Sequence, residues 1–272
     1  MNVNAGFWTE IGISKKVNQD ALLIKEATFP KYGKVVMGVL CDGMGGLDLG
    51  EEASKAVIKY LNIWFIEELP QILRESYQTV PLFEDMDKKL NVLDLIQHNW
   101  LRLVLEINHK LKIFGEKYDL YLGTTLVAVI LIENHYLWMN IGDSRLYHLK
   151  NVFNFAQLSH DHSVVQQMID KGEITKRQAP KCSQKNVLLQ CVGAGINVNP
   201  DFGRGEVSPK ESFLLCCDGF WRKSKDREIR RLMKKSMKMD DEEISSLLSK
   251  HMNVLMNRWE EDNISAIMLS VK

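Results

Sequence analysis

The sequence predicts an α+β domain in which antiparallel sheets are covered by helices. Three observations predict it. Segments come in blocks: strands, two helices, strands, two helices and a last strand, an order that belongs to sheets with helices packed on them. Successive strands are joined by short turns such as Glu133-Asn134 and Gly142-Asp143-Ser144, which connect antiparallel neighbours. No repeat, low-complexity tract or linker divides the 272 residues, so residues 1–272 are expected to form one domain.

Residues 5–13 alternate loosely and predict a first strand. A polar turn with two lysines and Asp20 follows. Residues 21–27 predict a second strand, closed by a turn near Pro30 and Gly33. The stretch 35–46, VVMGVLCDGMGG, runs from β-branched and apolar residues into Asp42 and a glycine turn, the pattern of a buried strand. It is expected to be the third strand of an antiparallel start. Residues 50–69 place Ala53, Ala56, Val57, Tyr60, Leu61 and Trp64 on one helical side. Glu51 and Glu52 lie in the first turn, where the helix dipole favours acids, and Pro70 is expected to stop or kink the helix. Residues 71–88, with Pro81 inside, read as a connector. Residues 90–114 form a second helical pattern, with Gly115 as its C-cap.

Strands are then predicted over 123–132, 135–141 and 145–149, with 152–158 continuing the meander. A short helix over 163–171 ends at Gly172, and 174–186 is loop-rich. The apolar run 187–192 is broken by Gly193-Ala194-Gly195. Residues 212–217 predict a buried strand ending at Asp218-Gly219, helices follow over 225–237 and 241–257, and 264–271 is the final strand.

Lys+Arg and Asp+Glu both number 35. Such a balance argues against a nucleic-acid partner, which calls for a basic excess or stripe. The five cysteines form no CxxC pair, so neither a disulfide framework nor a zinc site is expected, and a reducing, cytoplasmic setting fits. The N-terminus carries no apolar signal core, and the longest apolar run, 122–132, is too short to span a bilayer. No membrane association is expected, and the chain is expected to act as a monomer.

Five aspartates share one local context. Asp20 precedes a strand, Asp42, Asp143 and Asp218 follow apolar strands, and Asp262 stands just before the last one. Taken singly, each is more often a turn or cap residue than a ligand, and Asp42 by itself is as good an N-cap as a metal ligand. Taken together, strand ends in one layered domain can bring several to one edge. Two carboxylates ~4 Å apart repel by about 4 kcal/mol at an effective dielectric of ~20, so a cluster requires cations. An all-oxygen set without His or Cys favours Mg²⁺ or Mn²⁺ over zinc. Two such ions suit the hydrolysis of a phosphate ester.

The phrases GISKKVNQD (12–20), VLCDGMGG (39–46), Gly123-Thr124-Thr125, NIGDSRLY (140–147), LSHDHS (158–163), FLLCCDGF (213–220) and EDNIS (261–265) run in this order over nearly the whole chain. In that order they resemble the metal-dependent serine/threonine protein phosphatases of type 2C, in their compact bacterial form. The resemblance implies a four-layer α-β-β-α sandwich, two stacked antiparallel sheets flanked by helices. It implies two Mg²⁺ or Mn²⁺ ions and a third, weaker one. Asp42 would bridge the first two, the Gly43 carbonyl would serve the second, and Asp218 and Asp262 would complete the first. Asp143 would share the third ion with Asp218. Asp20, with Gln19, would hold metal waters from behind. A hydroxide between the metals would attack phosphorus in line. The substrates would be phosphoserine and phosphothreonine proteins, products of a cognate serine/threonine kinase.

Two positions depart from the family pattern. Lys15 stands where an Arg usually grips the phosphate; it keeps the charge and loses the planar two-pronged donor. Gln19 replaces the commoner Glu and brings no negative charge. These departures motivate the alternative, a catalytically weak or silent phosphatase-fold module that binds phosphoproteins or scaffolds a kinase pathway. Met44 stands where many eukaryotic members carry His, so a water is the expected proton donor. His160 and His162 are expected to be structural or solvent-exposed and not general acids, and Cys41, Cys216 and Cys217 to be core residues. The basic loop 174–190, with Lys176, Arg177, Lys181 and Lys185, reads both as a flap that meets phosphorylated partners and as a solvated loop.

Overall fold

Alternation decides which residues of a strand meet which layer, and here it separates two apolar faces. Ten strands are formed among the described residues, β1 (Val3–Glu10), β2 (Asp20–Phe29), β3 (Gly33–Asp42), β4 (Leu126–Ile132), β5 (His135–Ile141), β6 (Arg145–Leu149), β7 (Phe155–Gln157), β8 (Asp201–Glu206), β9 (Ser212–Cys216) and β10 (Ile264–Val271). They pair antiparallel into two five-stranded sheets, in the orders β1-β10-β9-β6-β7 and β2-β3-β4-β5-β8. The helices are α1 (Gly50–Ile63), α2 (Leu69–Gln78), α3 (Val92–Tyr118), α4 (Val164–Asp170), α5 (Asp218–Trp221), α6 (Asp226–Ser236) and α7 (Asp241–Met256). The computed structural model describes residues 1–44, 49–78, 91–151, 154–194 and 198–272. The expectations for Gly45, Gly46, the 79–90 part of the connector with Pro81, Val152 and Gly195 lie outside the described residues.

On β3, Val36 and Leu40 join Val127, Val129 and Leu131 of β4 against the first sheet. The intervening Val35, Met37, Val39 and Cys41 join Leu126, Ala128 and Ile130 under α1–α3. Both faces of β3 and β4 are therefore buried, which is why these strands read as unbroken apolar runs. Ile229, Met233, Ile244, Leu248 and Met252 of α6 and α7 cover the other side of the first sheet. Four layers result, as the family resemblance implies. Trp64, just past the end of α1, and Trp100 of α3, both fully buried, pack edge to face at 5.6 Å. Such a pair adds about 1 kcal/mol beyond its buried area.

Four expectations need correction. The first strand does not start a three-stranded sheet: β1 pairs with β10 in the first sheet, and β2-β3 open the second. Pro70 does not end its helix. The segment Trp64–Glu68 widens into a π turn, with the Leu69 N–H bonded to the Trp64 carbonyl, and α2 continues to Gln78. The wider turn accommodates a ring that would strike the carbonyl four residues back in a regular helix. Gly115 is not the cap of α3. The helix runs three residues further, and Asp119, at φ 55°, makes the left-handed exit. A Cβ on Gly115 would sit 2.6 Å from the Leu120 carbonyl oxygen, which folds back over the helix end. Finally, β8 was not anticipated, because its sequence DFGRGE lacks β-branched residues; it is recruited by pairing along β5.

Candidate active site

The two sheets bring the aspartates to one end of the sandwich. Asp20 opens β2 directly opposite Asp42 at the close of β3. Asp42 is fixed by its main chain. Its N–H donates to Thr125 Oγ1 at 2.9 Å, and its carbonyl accepts from the Thr125 N–H at 2.9 Å and the Thr124 hydroxyl at 3.0 Å. Thr125 Oγ1 also lies 2.8 Å from Ser144 Oγ, which ties the Gly142-Asp143-Ser144 turn to the same point. Gly142 is needed there: φ is 101°, and a Cβ would meet the Thr125 side chain at 2.7 Å.

The other edge is assembled by Asn263. Its Nδ2 donates to the carbonyls of Ile11 and Val17 and its Oδ1 accepts from the Gln19 N–H, so the loop carrying Lys15 is sewn to the start of β10. Asp218 heads α5 as β9 ends. Gly219 packs so closely that a Cβ would fall 2.2 Å from the Asn263 carbonyl. Asp218 and Asp262, 44 positions apart in sequence, are thereby held side by side.

These segments enclose a cavity of about 330 Å³. Asp42, Asp143, Asp218 and Asp262 line it with the Gly43 main chain, and Lys15 and Arg222 are its two cations. Met44, Thr125, Asn186 and Leu188 complete the wall. Burial, reinforced by the neighbouring carboxylates, raises Asp42 well above the usual carboxylate range and pushes Asp20 and Asp143 up to about 7. Burial raises Asp218 as well, although the Arg222 charge opposes it. Lys15 is held above the ordinary lysine value: burial opposes its charge, but its hydrogen bond to Asp262 and the aspartate charges outweigh it.

Both carboxylate oxygens of Asp20, and Oδ1 of Asp218, are buried without a hydrogen-bond partner. Ligand atoms of Asp20, Asp42 and Cys217 lie within 4.8 Å of one another. The Cys217 thiol is engaged by backbone, accepting from the Ser265 N–H at 3.1 Å and donating to the Asn263 carbonyl, and burial holds its pKa well above the usual value. The donors left over are oxygens, and orphaned buried oxygens are what a hard divalent cation would satisfy. Mg²⁺ or Mn²⁺ fits this donor set.

Lys15, Asp42, Gly43, Asp143, Asp218 and Asp262 thus share the cavity. Asp20 lies beside Asp42, outside the lining. Gln19 also lies outside the lining: its side-chain amide donates to Glu51 Oε2 at 3.3 Å, while its main-chain carbonyl accepts from the Gly43 N–H and Ser54 Oγ. Its service is to the backbone, joining β2, β3 and α1. Lys16 is exposed. His160 pairs with Asp170 on the surface, and His162 Nδ1 accepts from the Gly142 N–H while Nε2 faces Asp201. Sequence reasoning missed Arg222. Its signal was present, since a cation four residues after Asp218 falls on the same side of a helical turn. Asn186 and Leu188 arrive through bridging of Ser163 with Leu188, a pairing with no local sequence mark.

The chain matches the family model "Protein phosphatase 2C" over residues 13–263. It is 28% identical over 235 residues to a serine/threonine phosphatase stp of Listeria innocua, covering 85% of this chain and 83% of that protein. It is 26% identical over 266 residues to the protein phosphatase PhpP of Streptococcus pneumoniae, covering 97% and 95%. Among solved structures, the serine/threonine phosphatase Stp1 from Staphylococcus aureus superposes with a TM-score of 0.75 at 28% identity, covering 100% of this chain and 96% of that one.

Proposed function

This chain belongs to the protein phosphatase 2C family, and from that premise we propose how its own residues carry the reaction. It is a metal-dependent protein-serine/threonine phosphatase. In the proposed site two Mg²⁺ or Mn²⁺ ions would be held by Asp42, the Gly43 carbonyl, Asp218 and Asp262. When bound, the ions supply an activated water and positive charge against the phosphoryl oxygens. Asp20 holds and orients water with its two unpartnered oxygens. Lys15 is the phosphate cation: its Nζ is at the cavity wall, and it exchanges its Asp262 partner for a phosphoryl oxygen as substrate enters. The third ion expected at Asp143 and Asp218 would meet Arg222 there.

One observation carries this reading. Carboxylates from four separate chain segments face a single cavity, with buried oxygens left unpartnered. A silent binding module is not favoured, because nothing in binding alone calls for so costly a concentration of charge. Beside the cavity, a groove lined by Lys185, Lys223 and the exposed Trp259 is proposed to receive the polypeptide flanking the phosphorylated residue, the product of a cognate kinase. We also propose that residues 1–272 act as one domain, as a monomer in the cytoplasm, without a nucleic-acid or membrane partner. Five cysteines, none of them in a disulfide, and a balanced charge support this, and no helix among the described residues is long and apolar enough to cross a membrane.

Purified protein is assayed for phosphate release from a phosphothreonine peptide, with Mn²⁺, with Mg²⁺ and with a chelator. Release that requires metal is expected. Folded protein that releases none under any condition would overturn the reading.

A further inference from the structure

We infer that Arg222 is a built-in cation that takes the place of a third metal ion at the Asp143–Asp218 pair, so that the site carries two exchangeable ions and one fixed charge. The inference rests on the metal-phosphatase reading above. One guanidinium nitrogen, Nη2, lies 2.5 Å from Asp218 Oδ2 and 3.8 Å from Asp143 Oδ2. These two carboxylates are the donors a third ion would need.

The two oxygens of Asp218 have different fates. Oδ2 is taken by Arg222, whereas Oδ1 is buried and unpartnered, free for an ion shared with Asp42 and Asp262. The same short helix sets both groups, since the Arg222 N–H donates to the Asp218 carbonyl at 2.9 Å. Between them Trp221 donates from Nε1 to the Asp143 carbonyl at 3.0 Å, and its ring is covered by the Arg145 guanidinium at 3.4 Å. Arg222 is therefore one turn of helix away from one carboxylate and one hydrogen-bonded residue away from the other.

A guanidinium stays charged at every working pH. A small divalent ion wants near-octahedral oxygen ligands at about 2.1 Å. At the Asp143–Asp218 pair it would find one oxygen already bonded and a positive charge alongside. The fixed cation offsets the repulsion between the two carboxylates permanently, and metal exchange is confined to the sites at Asp42, Asp218 Oδ1 and Asp262.

The test counts ions. Chelator-stripped protein is titrated with Mn²⁺ alone, by calorimetry and by the electron paramagnetic resonance signal of free Mn²⁺. Two ions per chain are expected for the wild type into the millimolar range, and two for Asp143→Asn and Arg222→Lys. Arg222→Met is expected to bind a third, weaker ion, lost again when Asp143→Asn is added. Three ions in the wild type, with one lost in Asp143→Asn, would overturn the inference and leave the phosphatase reading intact. Folded Arg222→Met that still binds two would overturn it too. Should Arg222→Met not fold, the comparison of wild type with Asp143→Asn decides alone. No Mn²⁺ bound by any variant would overturn the metal-enzyme reading, and this inference with it.

Discussion

Lys15 Nζ lies 2.8 Å from Asp262 Oδ1, so the cation proposed to hold the phosphate is joined to a carboxylate proposed to hold a metal. Both side chains are about one-third exposed, which keeps the pair modest in energy and able to separate. In the proposed site, loading would exchange this internal pair for two external ones, with Asp262 holding metal and Lys15 holding phosphate.

Lys15→Ala therefore has two opposed effects. Freed from its partner, Asp262 is expected to bind Mn²⁺ more tightly by about 1.4-fold to fivefold, the size of an ion pair of about 0.2–1 kcal/mol. The phosphopeptide KM is expected to rise about tenfold, the loss of one charge-assisted hydrogen bond of ~1.5 kcal/mol. Lys15→Arg, which restores a two-pronged donor, should lower KM. Calorimetric Mn²⁺ titration and steady-state kinetics check both halves; a KM unmoved by Lys15→Ala removes Lys15 from the site.

Asp42→Asn is expected to lower kcat by ~1,000-fold or more, about 4 kcal/mol of transition-state stabilisation. The same substitution should raise the melting temperature of chelated protein by a few degrees, about what ~1 kcal/mol yields in a domain of this size. It removes a carboxylate that burial and three or more like charges destabilise. Kinetics with Mn²⁺ and thermal melts with chelator read the two effects separately.

The acid cluster also predicts how stability follows pH. Asp20 and Asp143 move from 3.8 in the open chain to about 7 in the metal-free fold. Between those values the folded state holds more protons at these two groups than the unfolded one, so their contribution to stability falls as pH rises from about 4 to about 7, and the raised Asp42 acts in the same direction. Metal competes with those protons and stabilises only the folded state. The rise in melting temperature on adding Mn²⁺ should grow from pH 5 to pH 8. A rise independent of pH would remove the cluster as the metal site.

Arg145 holds Asp161 through paired hydrogen bonds at 2.9 and 2.7 Å, with Asp161 almost fully buried, and it covers the Trp221 ring. Arg145→Ala leaves that carboxylate buried and unpaired, which costs about 3 kcal/mol. It should also loosen Asp143 through Trp221. Denaturant unfolding is expected to show the stability loss, with a smaller loss for Arg145→Lys, which keeps charge without the planar fork.

Much of this was open to reading in one dimension. Periodicity marked β3, β5, β6, β9, β10 and the two C-terminal helices, because each buries a face whose pattern is local. The aspartates were legible because each stands at a strand end, and Asp42, Asp143 and Asp218 also adjoin glycines whose missing Cβ the packing requires, as at Gly142 and Gly219. Pro70 and Gly115 misled, since both carry local rules that a π turn and a returning carbonyl override.

By itself, then, the sequence determined the layered antiparallel fold and the strand-end aspartates, which follow from residue type and short-range pattern, while Lys15 was singled out by the family resemblance and not by any local pattern. Only the tertiary structure decided which strand joins which sheet, that Gln19 turns to Glu51, that Asn186 and Leu188 reach the wall, and that Lys15 and Arg222 are already paired with Asp262 and Asp218. The physical reason is range. Hydrophobic periodicity is written along a few residues, whereas the energy of a buried charge depends on every group that the fold brings within a few ångströms of it.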